Sequence, residues 1–151
     1  MLYLKKDFSN VVLMSLLDRI TNNTTGTISW SFLFHFVNDM TKESTTMITQ
    51  LSGGSVSFYD SNDIYLKITD ILSTPPSIIN WAENGMIMLH PKGYWTYDVY
   101  EQNSLTNLDI TDSSIIAKIE TGKAYVYDDD DEVQYTEHID TTNTTNYMYV
   151  K

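Results

Sequence analysis

The stretch GYWTYDVYEQ at residues 93–102 alternates between two sets of side chains with a period of two. That period belongs to an extended strand, in which successive side chains point to opposite sides of a sheet. One set is Trp95, Tyr97 and Val99, and the other is Tyr94, Thr96, Asp98 and Tyr100. We therefore predict a strand that buries the first set in a core and presents Tyr94 and Tyr100 on an outer face.

The same alternation recurs at residues 28–36, where the apolar set is Ile28, Trp30, Phe32, Phe34 and Phe36. Shorter apolar runs at residues 46–51, 55–59, 64–68, 114–120, 123–127, 132–138 and 147–150 are separated by clusters of turn-forming residues. Many short strands between regular turn signals are typical of a sandwich or barrel. We predict an all-β fold, a single-domain antiparallel β-sandwich or flattened barrel with at most one short helix. Residues 10–19 and 78–84 are the helix candidates, although 10–19 fits a buried strand equally well.

Three connections follow from local turn chemistry. His90-Pro-Lys-Gly predicts a hairpin between residues 86–89 and 94–100. Thr121-Gly122 predicts a turn between residues 114–120 and 123–127. The acid run at residues 128–132 predicts a solvated hairpin tip between 123–127 and 133–138, because blocks of like charge stay exposed.

Length and composition narrow the classes of protein. A chain of 151 residues suits one domain, 1–151. Residues 140–151 are expected to form an extended C-terminal tail, whose final strand closes its own sheet or joins a neighbouring subunit. The absence of cysteine excludes disulfide scaffolds, thiolate metal sites and cysteine nucleophiles. A formal charge of −11 disfavours direct binding to nucleic acid or an anionic membrane. We see no targeting segment and no apolar stretch that approaches the roughly 20 residues of a membrane span, so we expect a soluble protein.

No motif indicates catalysis or a cofactor, and we nominate no catalytic residue. Asp98 and Glu101 are the carboxylates considered for a glycosidase pair, which we disfavour because twenty acidic residues make chance pairs common. His35, His90 and His138 lack metal-ligand spacing and favour structural roles. The run Asp128, Asp129, Asp130, Asp131 and Glu132 offers oxygen ligands for Ca²⁺, but it lacks the spacing of a calcium loop. We therefore predict no metal site and keep those five acids as the weaker alternative.

Tyrosine is the most suggestive residue type. Eleven tyrosines and three tryptophans suit cross-strand packing, a platform for sugars, or anchors of a protein interface. The interface candidates are Tyr94, Tyr100, Tyr147 and Tyr149.

The segment KGYWTYDVYEQ at residues 92–102, the following SLTNLD at 104–109, and the run 115–120 that continues into Thr-Gly-Lys resemble small virion proteins of tailed bacteriophages. The similar proteins belong to phages of Bacteroidetes hosts, including the crAss-like group. The opening MLYLKK, the run NVVL from Asn10 and VNDMT from Val37 are also similar. The resemblance covers about half of the chain, and residues 128–132 and the Thr-rich tail from Thr141 depart from it.

The resemblance implies a non-enzymatic virion protein, first a ring or connector subunit of the head–tail neck or tail. Such a subunit assembles as a homo-oligomer in the bacterial host cytoplasm, with portal, tail or major capsid proteins as neighbours. An auxiliary (decoration) capsid protein is the first alternative, and a carbohydrate-binding or adhesin module of a phage is the second. In a ring that lines a DNA passage, the negative charge would repel phosphate.

Overall fold

The computed structural model describes residues 1–21, 31–50, 56–58, 64–70, 81–128, 136–138 and 147–149. These residues contain eleven strands, numbered in chain order: β1 Leu2–Lys5, β2 Ser9–Met14, β3 Ser31–Asn38, β4 Ser44–Gln50, β5 Val56–Phe58, β6 Ile64–Asp70, β7 Met86–Ile87, β8 Gly93–Gln102, β9 Ile115–Tyr127, β10 Thr136–His138 and β11 Tyr147–Tyr149. Single turns of 3-10 helix lie at Leu17–Arg19 and Trp81–Asn84. The predicted all-β fold is confirmed.

The strands form two larger sheets, one of them curled into a half-barrel, and one ribbon. The large sheet has the order β1-β9-β8-β3-β4. The second sheet has the order β2-β6-β5, with β7 also paired to β6. Most neighbours are antiparallel, whereas β1 with β9 and β6 with β7 run parallel. The ribbon consists of β10 and β11.

The core confirms the face assignment made from the period of β8 and β3. Trp95 and Val99 of β8 and Phe34 of β3 are fully or almost fully buried, whereas Tyr94 is 56% exposed. The indole Nε1 of Trp95 donates to the carbonyl of Pro91 at 3.1 Å, which satisfies its one buried donor. The buried cluster comprises Leu2, Leu4, Met14, Leu16, Phe32, Phe34, Phe36, Met47, Ile68, Ile87, Leu89, Trp95, Tyr97, Val99, Ala124 and Val126.

The hairpin predicted around His90-Pro-Lys-Gly is wrong. Strand β7 pairs in parallel with β6 of the second sheet, whereas β8 pairs with β3 and β9 of the large sheet. The segment between β7 and β8 therefore crosses from one sheet to the other. Turn-forming residues indicate where the chain changes direction, but they do not specify with which strand the next strand pairs.

The turn predicted at Thr121-Gly122 is also wrong, because β9 runs through it without a break. A Cβ on Gly122 would lie 2.5 Å from Cζ and 2.8 Å from Cε1 of Tyr97, on the neighbouring strand β8. Glycine here makes room for an aromatic ring that crosses it, which is a recognised use of glycine inside strands.

The remaining sequence predictions have mixed outcomes. Residues 10–19 contain both a strand, β2, and a 3-10 turn. The acid run does not connect a hairpin, because β9 pairs with β1 and β8 while β10 pairs with β11. Of that run only Asp128 lies among the described residues, and Ile28 and Trp30 lie outside them. The final strand β11 pairs with β10 of its own chain.

Candidate functional site on the outer face

The large sheet turns one face away from the core, and we call it the outer face. Its side chains form rows across the strands because partners in register lie on the same side. The first row comprises Tyr3 of β1, Tyr125 of β9 and Tyr94 of β8. The ring centroids of Tyr3 and Tyr125 are 6.5 Å apart, and those of Tyr94 and Tyr125 are 4.9 Å apart. Both outer members, Tyr3 and Tyr94, are more than half exposed. We call these three residues the tyrosine row.

Two hydrogen-bonded ion pairs lie on the outer face next to the tyrosine row. Asp39, in the turn after β3, accepts from Lys123 Nζ and from Thr96 Oγ1, each at 2.7 Å. The bonds from Lys123 and then Thr96 hold the pKa of Asp39 below its ordinary value. This carboxylate therefore stays ionised, and the Lys123 charge beside the tyrosine row is balanced.

Asp98 of β8 carries the second ion pair. It accepts from Lys118 Nζ at 3.3 Å and from Thr121 Oγ1 at 2.5 Å. Tyr100 lies on the same face, opposite Lys118. Burial, and then the neighbouring charge of Asp98, raise the pKa of Tyr100, so its phenol stays protonated at neutral pH. Both interface candidates on β8, Tyr94 and Tyr100, thus lie on the outer face.

A groove of about 650 Å³ opens beside the β3–β4 part of this face. One wall is formed by His35, Ser44, Thr45 and Thr46, and the opposite wall by residues 106–110 of the loop between β8 and β9. The lining offers hydroxyl, imidazole, amide and carboxylate groups together with two aliphatic side chains. Its volume lies within the roughly 300–1,000 Å³ of small-ligand sites. The groove can therefore accept a polar ligand or a side chain of a bound protein.

The loop wall is held by its own side chains. Ser104 Oγ accepts from the backbone N–H of Asn107 at 3.0 Å, and Asn107 Oδ1 accepts from that of Asp109 at 2.9 Å. Asp109 Oδ1 accepts from the N–H and hydroxyl of Thr111 at 2.8 and 2.7 Å. Asn107 Nδ2 also donates to Oε1 of the buried Gln102 at 3.2 Å. These successive side-chain turns give the wall a defined shape and join it to the end of β8.

The carboxylates considered for hydrolysis do not form a catalytic pair. Asp98 lies on the outer face, whereas Glu101 is buried on the core side of the same strand, opposite Phe32. Glu101 Oε2 accepts from the N–H and the hydroxyl of Thr21 at 2.9 and 2.8 Å. This arrangement gives Glu101 a role in holding the segment after the first 3-10 turn.

A smaller cavity of about 310 Å³ lies near the core side, with Leu13, Arg19, Tyr97 and Glu120 among its lining residues. Arg19 and Glu120 form an ion pair there. Burial raises the pKa of Tyr97, which keeps the phenol neutral. We find in this cavity a structural ion pair rather than a group poised for proton transfer.

Among the described residues, the remaining sequence candidates do not line the groove. Asp128 lies 3.5 Å from Lys6 Nζ, and the other four acids of the run lie outside the described residues. Across the described ranges, no group of three or more His, Asp or Glu side chains is placed to hold a metal ion. Tyr147 and Tyr149 lie at alternate positions of β11, opposite His138 and Thr136.

Sequence reasoning missed two of the three members of the tyrosine row. Tyr3 and Tyr125 lie beside Tyr94 because the first strand pairs in parallel with β9. No local sequence pattern predicts this pairing.

No protein-family model, curated protein or solved structure matches this chain. In the part that the structure describes, no helix combines the length and apolar content needed to cross a membrane.

Proposed function

We propose that this protein is a non-enzymatic structural subunit of a bacteriophage virion, a ring or connector component of the neck or tail that assembles as a homo-oligomer. The tyrosine row is the observation that carries the proposal. Tyr3 and Tyr94 are 62% and 56% exposed, yet they are held side by side through Tyr125 on a rigid sheet. Tyrosines supply large contact area at small entropic cost, and they are enriched where protein interfaces are strongest.

The positions of the phage-like motifs support the same proposal. The strand motif at residues 93–102 forms β8, which lies at the centre of the large sheet and contributes Tyr94 to the tyrosine row. The TNLD motif at residues 106–109 forms most of the loop wall of the groove. Both motifs therefore contribute to the surface beside the outer face, where a neighbouring subunit would bind.

Native mass tests the proposal. Light scattering after size-exclusion chromatography, over a concentration series, should give a closed oligomer for the wild-type chain. The double variant Tyr3→Ser/Tyr94→Ser should shift to lower mass, because it removes the two exposed rings. Ile116→Thr is the matched control, since Ile116 is an exposed apolar residue on β9, nine positions from Tyr125. A wild-type monomer at every concentration, or equal masses for both variants, would contradict assembly through this row.

The groove favours one second candidate, a carbohydrate-binding module. Hydroxyl, amide and carboxylate groups of Thr46, Asn107 and Asp109 match the hydrogen-bonding groups of a sugar, although no aromatic ring lines the groove. A glycan array separates the two functions. Binding by the monomer that is lost in Asn107→Ala and retained in Tyr3→Ser/Tyr94→Ser would favour the module over the ring subunit.

A further inference from the structure

The two edge strands of the large sheet, β1 and β4, differ in how their outward backbone groups are used. An edge strand presents N–H and C=O groups that can pair with another chain, and proteins commonly block such edges. The hydrogen bonds next to each strand identify the residues that face outward, because consecutive residues alternate in direction.

One outward-facing residue of the β1 edge, Lys5, is blocked by a side chain. Lys6 N donates to the carbonyl of Tyr127 at 2.8 Å, so Lys6 faces β9 and Lys5 faces the edge. Asn10 occupies both outward groups of Lys5: its Oδ1 accepts from Lys5 N at 2.8 Å and its Nδ2 donates to Lys5 O at 3.0 Å. The carboxamide thereby takes the place of a neighbouring strand.

Within the part of the chain that the structure describes, the β4 edge is covered at one end only. Asn38 N donates to the carbonyl of Glu43 at 2.9 Å, so alternation directs Thr45 toward β3 and the residues on either side of it outward. Ile48 agrees with this register, because its carbonyl accepts from Gly85 N at 2.9 Å on the outer side. Ser44 and Thr46 face the same way. Within the described ranges, no residue binds the outward backbone groups of either one.

The groove and its charges lie beside this open segment, residues 44–46. Thr46 and Asp109 both line the groove, so a strand added at β4 would place side chains beside the groove that contains the carboxylate. Glu43 precedes the segment, and Glu83 belongs to the 3-10 turn that packs on β4 beyond it. Hydrogen bonds from Thr111 lower the pKa of Asp109, which keeps it ionised. Asp109 and Glu43 thus lie beside a segment that itself has no charge, with Lys42 preceding Glu43, on a chain of net charge −11.

We propose that residues 44–46 of β4 accept an extended, lysine- or arginine-bearing segment of another protein as an added strand. The outward N–H and C=O groups of Ser44 and Thr46 supply the backbone pairing, and the groove receives a basic side chain near Asp109. Main-chain pairing with pockets for alternate side chains is a recurring mode of peptide recognition. This inference rests on the sheet edge and not on the proposed virion role.

Amide hydrogen exchange of the isolated protein is the first test. The amides of Ser44 and Thr46 should exchange at least about 100-fold faster than those of Thr45 and Met47, because only the latter pair with β3. Equal protection of all four amides would mean that the edge is already occupied, and it would overturn the proposal.

Peptide titration followed by amide chemical shifts is the second test. The peptide acetyl-KTVTVTK-amide should shift and protect Ser44 and Thr46, and it should bind at least about tenfold more tightly than acetyl-ETVTVTE-amide. Thr46→Pro removes one outward N–H without touching the β3 pairing and should weaken binding about tenfold or more. Thr46→Ser keeps that N–H and is the matched control. Asp109→Asn should reduce the preference for the basic peptide while the fold, monitored by circular dichroism, is unchanged.

Three further results would overturn the proposal: equal affinity for both peptides, binding by Thr46→Pro equal to that by Thr46→Ser, or a lower native mass of Thr46→Pro than of the wild type. The last result would assign the edge to a second copy of this chain. Failure of the virion proposal looks different, since it changes the response to Tyr3→Ser/Tyr94→Ser and leaves the peptide titration unaffected.

Discussion

Replacing Gly122 by alanine adds a methyl group where the ring of Tyr97 crosses β9. The new Cβ would lie 2.5 Å from Cζ of Tyr97, whereas ordinary contacts begin near 3.4 Å, so the ring must move by about 0.9 Å. Tyr97 is 4% exposed and packs against Phe36 with a centroid distance of 5.9 Å, which restricts that movement. Overpacking of this kind costs about 1–3 kcal/mol.

A compensating gain of about 0.4–1 kcal/mol comes from the reduced freedom of the unfolded chain. The expected net loss for Gly122→Ala is therefore about 0–2.6 kcal/mol of unfolding free energy, or a fall in Tm of up to about 10 °C for a domain of this size. Urea titration followed by tryptophan fluorescence measures the free energy, and a thermal scan measures Tm.

Two variants of Tyr97 distinguish a steric clash with its ring from a general effect of replacing Gly122. The loss of stability caused by Gly122→Ala is compared in each of them. In Tyr97→Phe the hydroxyl, which is the atom nearest to the new Cβ, is removed but Cζ and Cε1 remain, so much of the loss caused by Gly122→Ala should persist. In Tyr97→Leu the ring is gone, so Gly122→Ala should be neutral or stabilising, with a coupling energy of about 1 kcal/mol or more. An equal loss in all three backgrounds, or a gain of stability in the wild-type background, would refute the reasoning.

Three further predictions concern the two edges and the outer face. Asn10→Ala should cost about 1–3 kcal/mol, because it removes both hydrogen bonds to Lys5, and it should accelerate exchange of the Lys5 amide. Lys42→Gly should stabilise the protein by about 0.5–1 kcal/mol in urea titration, since Lys42 has φ 64° and lies with Glu43 opposite Asn38 in a bulge whose first position favours glycine. The pKa of Asp39 is lowered from 3.8, so the stability contributed by its ionised form is present above pH 3.8 and is lost as pH falls through the lowered pKa. The stability difference between wild type and Asp39→Asn should therefore shrink below pH 3.8, and an Asp39 carboxyl titration by NMR at or above 3.8 would contradict this.

The outer face was partly predictable from alternation in one strand. Because Trp95 and Tyr97 are apolar partners at positions i and i+2, Tyr94 had to point the other way, and this needs no knowledge of the neighbours. The tyrosine row was not predictable, because Tyr3 and Tyr125 reach Tyr94 only through strand pairing across the chain. The groove was not predictable either, since its walls join β3 and β4 to a loop about seventy residues away.

Alternation, turn composition and charge are local properties, and the sequence by itself therefore determined the all-β class, the core-facing residues of β8 and β3, the outward side of β8, and the net negative charge. Tertiary structure decided what each glycine and turn does. Thr121-Gly122 predicts a turn, yet β9 continues through it, and the glycine leaves room for the Tyr97 ring on the neighbouring strand. His90-Pro-Lys-Gly predicts a hairpin, yet this segment connects a strand of one sheet to a strand of the other. Strand pairing depends on contacts between residues far apart in the chain, and their energies appear only when the sheets have assembled.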